Sequence, residues 1–415
     1  MKSLSQSAHV SSKLLDKAFK LVIKIVSNPF VFIDGLSRGF GLFATLFFAN
    51  QAGLEEFGRF SFLLGVAAFL RPIGSLELHR IFEKQLSGSE AHFLNYLFSC
   101  LLVFLTCFSL AVSISVLLNY FSIQEGIVLL VTMQLLFAIG TREIITGFLR
   151  VFDSQICYLL CELCFNLIPL VGVLIFFATA TPMDFIDFAN FYLIGSIFAI
   201  LTVTIFVFLK KNKMTWELYF PSFRKLLPFI LDAYKSGMFQ SIDKIILAQV
   251  VGFEDLGIWA LCQKIASPIR VLPQSILRGM RRELVTKFHA QGSWDRALLS
   301  SFFVQSIFLI TAYTLPACLL IFYFFTSGVT ALMLLITLSA TMIVRVWLLQ
   351  LDMMVATKGQ SKWLFVDTII GVICLPPILY LLVSFVGIIG VALTQLIMVS
   401  LSVLILSKED VKRVI

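Results

Sequence analysis

Apolar residues run along this chain in long continuous stretches that are separated by short polar segments. Each stretch has roughly the 20 residues that an α-helix needs to cross the hydrocarbon core of a bilayer. Because apolar and polar residues do not alternate with a period of two, the pattern favours helices over the strands of a membrane barrel. We predict twelve spans, at 30–50, 57–78, 94–118, 126–149, 155–178, 186–209, 228–250, 256–279, 298–325, 328–351, 363–384 and 386–407.

The composition agrees with this pattern. Hydrophobic residues make up 59% of the 415 positions and charged residues only 13%, whereas soluble domains carry about 25% charged residues. The mean hydropathy of +0.97 covers the whole chain, so a single anchor on a soluble domain cannot account for it. These values exclude soluble enzymes, secreted modules and nucleic-acid-binding domains, and they predict a polytopic membrane protein.

Positive charge is distributed unevenly between the two sides of the predicted membrane domain. If the amino terminus is cytoplasmic, most of the 32 lysines and arginines fall at the termini and inner loops, including the linker 210–227. The outer turns carry acids instead, among them Glu55, Glu56 and Glu254. This positive-inside pattern predicts cytoplasmic termini and accounts for the net charge of +8 without a nucleic-acid partner.

The two halves of the chain carry a repeated segment at an offset of 199 residues. Residues 49–58 read ANQAGLEEFG and residues 248–257 read AQVVGFEDLG, with both glycines and the first acid in the same places. The same register aligns Arg71 with Arg270. Each copy is a predicted outer turn between the first two helices of a six-helix half, as in transporters built from parallel repeats.

These features predict an all-α integral membrane fold of twelve helices in two pseudo-symmetric six-helix lobes. The basic, amphipathic N-terminal segment either lies on the anionic inner leaflet or only sets the topology. The predicted segments are the N-terminal segment (1–27), the N-lobe (28–209), the cytoplasmic linker (210–227), the C-lobe (228–407) and the cytoplasmic tail (408–415).

Charged residues inside the predicted helices are functional candidates, because an ionisable group at bilayer depth is costly unless it faces a cavity or a partner. Most of them fall in the first two helices of each half, so we expect a charged cavity between the halves. The cationic candidates for substrate binding are Arg38, Arg71, Lys235, Lys264, Arg270 and Arg345. The acidic candidates for ion coupling or charge pairing are Asp34, Asp232 and Asp243.

Arg71 and Arg270 are the strongest of these candidates. Each lies well inside its predicted helix, has no acid within four residues along the chain, and occupies the equivalent position in its half. Arginine is always charged and binds phosphate oxygens with a bidentate fork. The two arginines therefore predict an anionic and phosphorylated ligand.

Local pairing is an alternative role for several of the other charges. Asp34 and Arg38 are four residues apart and Asp232 and Lys235 are three apart, so each acid can neutralise its neighbour on one helix face. Long cationic side chains near a helix end can also extend to the membrane surface. The residues placed to do so are Lys235, Lys264 and Arg345.

Four carboxylates lie deep enough in the predicted helices to couple transport to H⁺ or Na⁺. Asp34 and Asp243 are the candidates for that role. We interpret Glu162 and Asp367 as charge balance for nearby cations.

Nothing in the sequence predicts a catalytic domain. It contains no Walker A or HExxH pattern, and every predicted outer loop is short. The cysteines at 157, 161 and 164 share a helix face without an intramembrane histidine, so we interpret them as buried packing residues. We expect a protein that is not an enzyme and that needs neither a metal nor a cofactor.

Three stretches carry a family resemblance. They are GLEEFGRFSFL at 53–63, SIDKIILAQVVGFEDLGIWALCQKI at 241–265 and VGIIGVALTQLI at 386–397. Together they resemble the polysaccharide-export branch of the multidrug/oligosaccharidyl-lipid/polysaccharide (MOP) flippase superfamily. With twelve predicted helices the chain looks like the Wzx-type flippases of O-antigen repeat units rather than the fourteen-helix flippases of peptidoglycan precursor.

The resemblance implies a substrate and a location. Members of this branch are thought to move undecaprenyl-pyrophosphate-linked oligosaccharides across the bacterial inner membrane by alternating access, and ion-gradient coupling is expected. By likeness to relatives that flip peptidoglycan precursor, Arg38, Arg71 and Arg270 would bind the pyrophosphate, with Arg38 matched by helix only. A polysaccharide polymerase and a chain-length regulator are candidate partners.

Two other functions fit a polytopic protein of this kind. A cation-coupled multidrug exporter of the same superfamily would rely on Asp34 or Asp243 and would bind cationic drugs. A membrane glycan polymerase or ligase would usually need a large outer loop with catalytic residues, which the short loops here do not offer.

Overall fold

The computed structural model describes residues 29–75, 123–151, 155–209, 241–291, 294–324, 328–357 and 361–414, together with single positions 99, 102, 105, 106, 109, 113 and 230. Within these residues the chain is helical, with short turns and no strand, which confirms the all-α prediction. The span predicted at 94–118 and residues 228–240 of the span predicted at 228–250 lie outside the described residues, apart from those single positions. The count of twelve helices and the cytoplasmic termini therefore stay predictions.

The helix bounds follow the predicted spans closely. In chain order the helices are α1 (Pro29–Ala52), α2 (Leu54–Ser75), α3 (Ile123–Val151), α4 (Gln155–Thr179), α5 (Phe185–Leu209), α6 (Phe253–Gln291), α7 (Arg296–Phe324), α8 (Gly328–Thr357), α9 (Ser361–Val386) and α10 (Ile389–Val414). Residues 241–250 are also helical and lead into α6.

Several boundaries differ from the prediction. α8 ends at 357 rather than 351, and α10 ends at 414 rather than 407. α6 continues well beyond the predicted end at 279, because Met280 and Leu284 are buried and extend the apolar stripe of the helix into the basic segment. The junction between α9 and α10 lies at 387–388 rather than at 384–386. Gly387 adopts a φ of 66° there, a conformation that glycine accepts at little cost and that ends α9.

The described helices have the surface of a membrane protein. Seven segments in the described part of the chain are long and apolar enough to cross a bilayer. Large apolar side chains point outward from several of them, with Ile156 73% exposed, Leu315 71% and Phe385 82%. Exposed apolar surface on this scale is stable in lipid and not in water. The multi-pass membrane prediction is confirmed.

The chain divides into two compact units. The first contains Met1–Gln51 and Leu70–Ala233, and the second contains Ala52–Phe69 and Tyr234–Ile415, so the division falls inside α2. In the first unit α3, α4 and α5 pack on one another, and α1 joins them through Phe48, whose ring stacks on Phe188 with centroids 4.2 Å apart.

The second unit is built on α6 and α8. α6 packs on α7 and α8, and α10 packs on α8 and α9. An apolar cluster of Leu351, Val355, Val403 and Leu406 joins α8 to α10. Asp295 begins α7 by accepting hydrogen bonds from the backbone amides at 297 and 298. The hydrogen bond that the Lys287 ammonium donates to Asp295 lowers the pKa of this half-buried carboxyl from its usual value.

The repeated segment adopts the same local structure in both copies. Gly53 separates α1 from α2 with a φ of 91°, and Gly252 separates the helical segment 241–250 from α6 with a φ of 98°. A side chain is strained in this left-handed region, which explains why both copies carry glycine at the turn. The sequence repeat therefore corresponds to a structural repeat at the two turns.

The second glycines of the two copies lie where α2 and α6 approach each other within the second unit. A Cβ at Gly58 would overlap the carbonyl oxygen of Phe253, and a Cβ at Gly257 would overlap the carbonyl oxygen of Leu54. Leu54 and Phe253 are themselves equivalent positions of the repeat, so each copy makes the same contact with the other copy. The two helices can pack this closely because neither glycine has a side chain.

Replacing Gly58 or Gly257 with alanine is expected to lower the thermal stability of the protein. The added methyl meets a backbone carbonyl that cannot rotate away, and overpacking of this kind costs about 1–3 kcal/mol. Thermal unfolding of the full-length protein in detergent measures the loss. Gly39 of α1 is the matched control, since a Cβ there meets no atom within 4 Å. Equal melting of the Gly58→Ala and Gly39→Ala variants would contradict the close approach.

Candidate functional site

Two adjacent residues of α3 connect the charged side chains of the first unit. The Nη2 atom of Arg142 lies 2.7 Å from Oε2 of Glu162 on α4. The next residue, Glu143, has its Oε2 atom 2.7 Å from Nη1 of Arg71 on α2. α3 thus holds one ion pair to α4 and a second to α2, and both lie within one unit.

The first ion pair belongs to a buried polar cluster, the Glu162 cluster, formed by Ser37, Arg142, Glu162 and Asn166. The Glu162 side chain is only 3% exposed, whereas Arg142 is 35% exposed. Besides Arg142, the Ser37 hydroxyl donates to Glu162 Oε2 at 3.1 Å and the Asn166 amide donates to it at 3.3 Å. A buried carboxylate is stable only when it is paired and hydrogen-bonded, and here three donors satisfy one oxygen.

Local sequence explains how α1 and α4 meet at this cluster. Glu162 and Asn166 are one helical turn apart on α4, so they face the same way. Asn166 donates to the Ser37 hydroxyl at 2.6 Å. Gly41 lies one turn beyond Ser37 on α1, and a Cβ there would come within 2.6 Å of the Asn166 side-chain oxygen. A glycine at this position lets the two helices approach closely enough for these hydrogen bonds.

Arg71 lies near the end of α2, and its side chain is 16% exposed. No acid lies within four residues of it along the chain. In the folded protein Glu143 reaches it from a different helix. Glu143 itself is 30% exposed, so in this ion pair the acid is more accessible than the base.

The second unit contains a different buried carboxylate, Asp243. It is 4% exposed, and its Oδ2 atom accepts hydrogen bonds from Trp259 Nε1 and Gln263 Nε2, both at 2.8 Å. Its Oδ1 atom accepts a hydrogen bond from the backbone amide at 244, also at 2.8 Å. Trp259 and Gln263 are one turn apart on α6, so α6 presents two donors to one carboxylate.

The remaining predicted site residues are spread over several helices. Arg38 is exposed on α1, Lys264 is half-buried on α6 and Arg345 is half-buried on α8. The backbone positions of Asp34 and Arg270 lie on α1 and α6, but their side chains are outside the described residues, as are Asp232 and Lys235 altogether. The convergence of Arg38, Arg71 and Arg270 on one ligand stays a prediction.

From the sequence we interpret Glu162 as charge balance, and Arg142 and Glu143 are not among the site candidates. Charge balance is indeed part of what Glu162 does, because it pairs with Arg142. One feature of the sequence could have indicated the Glu162 cluster. Glu162 and Asn166 are four residues apart on α4, so they place two polar groups on one face of an otherwise apolar helix. The partners on α1 and α3 leave no such signal along the chain.

The cysteines of α4 are packing residues, as predicted. Cys157 and Cys161 are buried and Cys164 is partly buried, and none of the three forms a disulfide. The thiol of Cys161 points at the carbonyl oxygen of Ala199 on α5 at 3.7 Å. Within the described ranges no three histidine, cysteine or acidic residues are grouped to hold a metal.

Comparison with known proteins identifies the fold. No protein-family model and no curated protein matches the sequence. Among solved structures, the lipid II flippase MurJ in an inward closed conformation is similar with a TM-score of 0.65 and 18% identity, covering 92% of this chain and 87% of that one. An inward-facing multidrug resistance MATE transporter of the MOP superfamily gives a TM-score of 0.61 and 15% identity over 90% and 94% of the two chains.

A eukaryotic MATE transporter, AtDTX14, is also similar, with a TM-score of 0.54 and 11% identity over 95% of this chain and 96% of that one. These neighbours are transporters and flippases rather than enzymes. Identities this low establish the fold alone and leave the substrate open. The protein is a multi-pass helical membrane protein with the fold that the lipid II flippase shares with MATE transporters.

Proposed function

We propose that this protein is a MOP-type flippase that moves an undecaprenyl-pyrophosphate-linked oligosaccharide across the bacterial inner membrane. The observation that carries the proposal is Arg71, an arginine that is 16% exposed and bound to Glu143, in a chain with the fold of a lipid II flippase. A nearly buried guanidinium in a membrane helix is costly to maintain, and binding an anionic substrate is a reason to maintain it.

The chemistry of the proposed headgroup fits arginine better than any other side chain. A guanidinium presents five N–H donors in a rigid fork and stays charged at every physiological pH. In this proposal Arg38, Arg71 and Arg270 bind the pyrophosphate, and the polyprenyl tail remains in lipid. Transport proceeds by alternating access with ion-gradient coupling and forms no covalent intermediate. The polymerase and the chain-length regulator of the same glycan are candidate partners.

A cation-coupled multidrug exporter is the second candidate function, and Asp243 is the observation that favours it. A buried carboxylate held by Trp259 and Gln263 is a suitable group to bind and release a coupling cation. Several MATE transporters share the fold. In that function Asp34 and Asp243, rather than the arginines, are the residues on which transport depends.

Deleting the gene is expected to strand single oligosaccharide repeat units on their polyprenyl carrier, because the headgroup can no longer cross the membrane. Gel analysis of surface glycan and mass spectrometry of polyprenyl-linked oligosaccharides measure this. The proposal expects loss of surface glycan together with accumulation of the linked repeat unit, both reversed by the intact gene. Normal surface glycan with new sensitivity to cationic drugs would instead support the multidrug exporter.

A further inference from the structure

We infer that Glu143 is an internal anion that occupies Arg71 and is displaced when an anionic headgroup binds. This inference rests on the proposed function, because it concerns how Arg71 receives its ligand. The 2.7 Å ion pair between the two side chains is the starting observation. It assigns to Glu143 a role in substrate binding that neither its position in the sequence nor the shared fold indicates.

The two ion pairs of α3 differ in which partner is accessible. In the Glu162 cluster the acid is 3% exposed and the base 35% exposed, whereas in the Arg71 pair the base is 16% exposed and the acid 30% exposed. An acid that is more accessible than its arginine can separate from it without leaving a buried site. Of the two pairs, the Arg71 pair is therefore the one in which another anion can replace the acid.

The Glu162 cluster keeps α3 in place beside the Arg71 pair. Glu162 is held by Ser37 and Asn166 as well as by Arg142. This anchored pair fixes α3 at Arg142, the residue next to Glu143. The displacement that we infer is therefore a movement of the Glu143 side chain and not of α3.

The Glu143 carboxylate also stabilises Arg71 when no substrate is bound. A nearly buried guanidinium that loses its anion is strongly destabilising, because the charge is then neither paired nor hydrated. A carboxylate that pairs with Arg71 between transport cycles removes that cost. A pyrophosphate carries more negative charge and more acceptor oxygens than a carboxylate, so it competes successfully for the same guanidinium fork.

Replacing Glu143 with glutamine is expected to tighten the binding of a pyrophosphate ligand by about tenfold, because the ligand no longer competes with an internal carboxylate. The measurement is the Kd of geranyl pyrophosphate for the purified full-length protein in detergent, by titration calorimetry. The Arg71→Ala variant should bind about tenfold more weakly than the wild type. The double variant should match Arg71→Ala alone, since Glu143 acts through Arg71.

Three further measurements complete the test. Glu55→Gln is the matched control, because it makes the same change in an exposed acid that pairs with Arg59 instead, and its Kd should equal that of the wild type. Glu143→Asp, which keeps the charge but shortens the side chain, should tighten binding less than Glu143→Gln and serves if the glutamine variant does not fold. Inorganic pyrophosphate, titrated in parallel, should bind less tightly than geranyl pyrophosphate if the natural ligand is a lipid.

The measured Kd values distinguish failure of this inference from failure of the proposed function. If Arg71→Ala weakens binding but Glu143→Gln leaves the Kd unchanged or raises it, Glu143 positions Arg71 and the inference is overturned while the proposed function stands. If Arg71→Ala binds geranyl pyrophosphate as tightly as the wild type, the assignment of Arg71 to the headgroup fails and the inference fails with it. Tighter binding of inorganic pyrophosphate than of the lipid would overturn the lipid as ligand.

Discussion

Replacing Arg71 with alanine is expected to reduce export of the lipid-linked oligosaccharide strongly, and replacing Arg270 should do the same. Removing one charged hydrogen-bonding partner costs about 1.5–3 kcal/mol of headgroup binding, or roughly 10- to 150-fold in affinity. The measurement is surface glycan, together with stranded repeat units on the polyprenyl carrier, in a deletion strain that expresses each variant at matched protein levels.

Two further variants show what the arginine contributes. Arg71→Lys keeps the positive charge but loses the planar fork, so we expect export between that of the wild type and that of Arg71→Ala. Arg59→Ala is the matched control on the same helix, because Arg59 is 44% exposed and its ion pairs are made with Glu55 and Glu56. Its export should equal that of the wild type. Full export by both Arg71→Ala and Arg270→Ala would refute the proposed headgroup site.

Breaking the ion pair of the Glu162 cluster is expected to have the largest effect on stability. Glu162→Ala leaves Arg142 without its carboxylate and removes the acceptor that Ser37 and Asn166 share. Broken buried pairs cost about 3–5 kcal/mol, and we expect about 3 kcal/mol because Arg142 is partly exposed. Thermal unfolding of the full-length protein in detergent measures the change.

Two further variants distinguish the effect of breaking a buried ion pair from the effect of removing a charge. Glu55→Ala breaks an exposed ion pair of similar length, in which the acid is 61% exposed, and such pairs are worth about 0–1 kcal/mol. Replacing Glu162 and Arg142 together with leucine should destabilise less than Glu162→Ala, since no buried charge is left unpaired. If Glu162→Ala melts at the same temperature as Glu55→Ala, the cluster does not hold the first unit together.

Much of the fold could be predicted because its signal lies along the chain. A membrane helix is recognised from its length and apolarity, and the ends of α4 and α5 agree with the predicted spans to within a residue. The glycines at the repeat turns also follow from local chemistry, since a left-handed φ favours glycine wherever it occurs. The end of α6 was harder to predict, because its last turns are basic as well as amphipathic.

The candidate site could be predicted only in part. Asp243 and Arg71 were found because a charge inside an apolar helix is conspicuous in the sequence. Their partners were not, because spacing rules relate only residues three or four apart on one helix. Glu143 lies on a different helix from Arg71, and Ser37 is more than one hundred positions away from Glu162.

The sequence by itself determined that this is a helical membrane protein with a repeated turn and buried charges. Hydropathy and local conformation depend on neighbouring residues, so they can be read without knowing how the helices pack. Only the tertiary structure decided that Arg71 is bound to Glu143 and that Glu162 is bound to Arg142. Those pairings depend on which faces of the helices meet. Side-chain packing over the whole unit determines which faces meet, so the spacing of these residues along the chain does not reveal their partners.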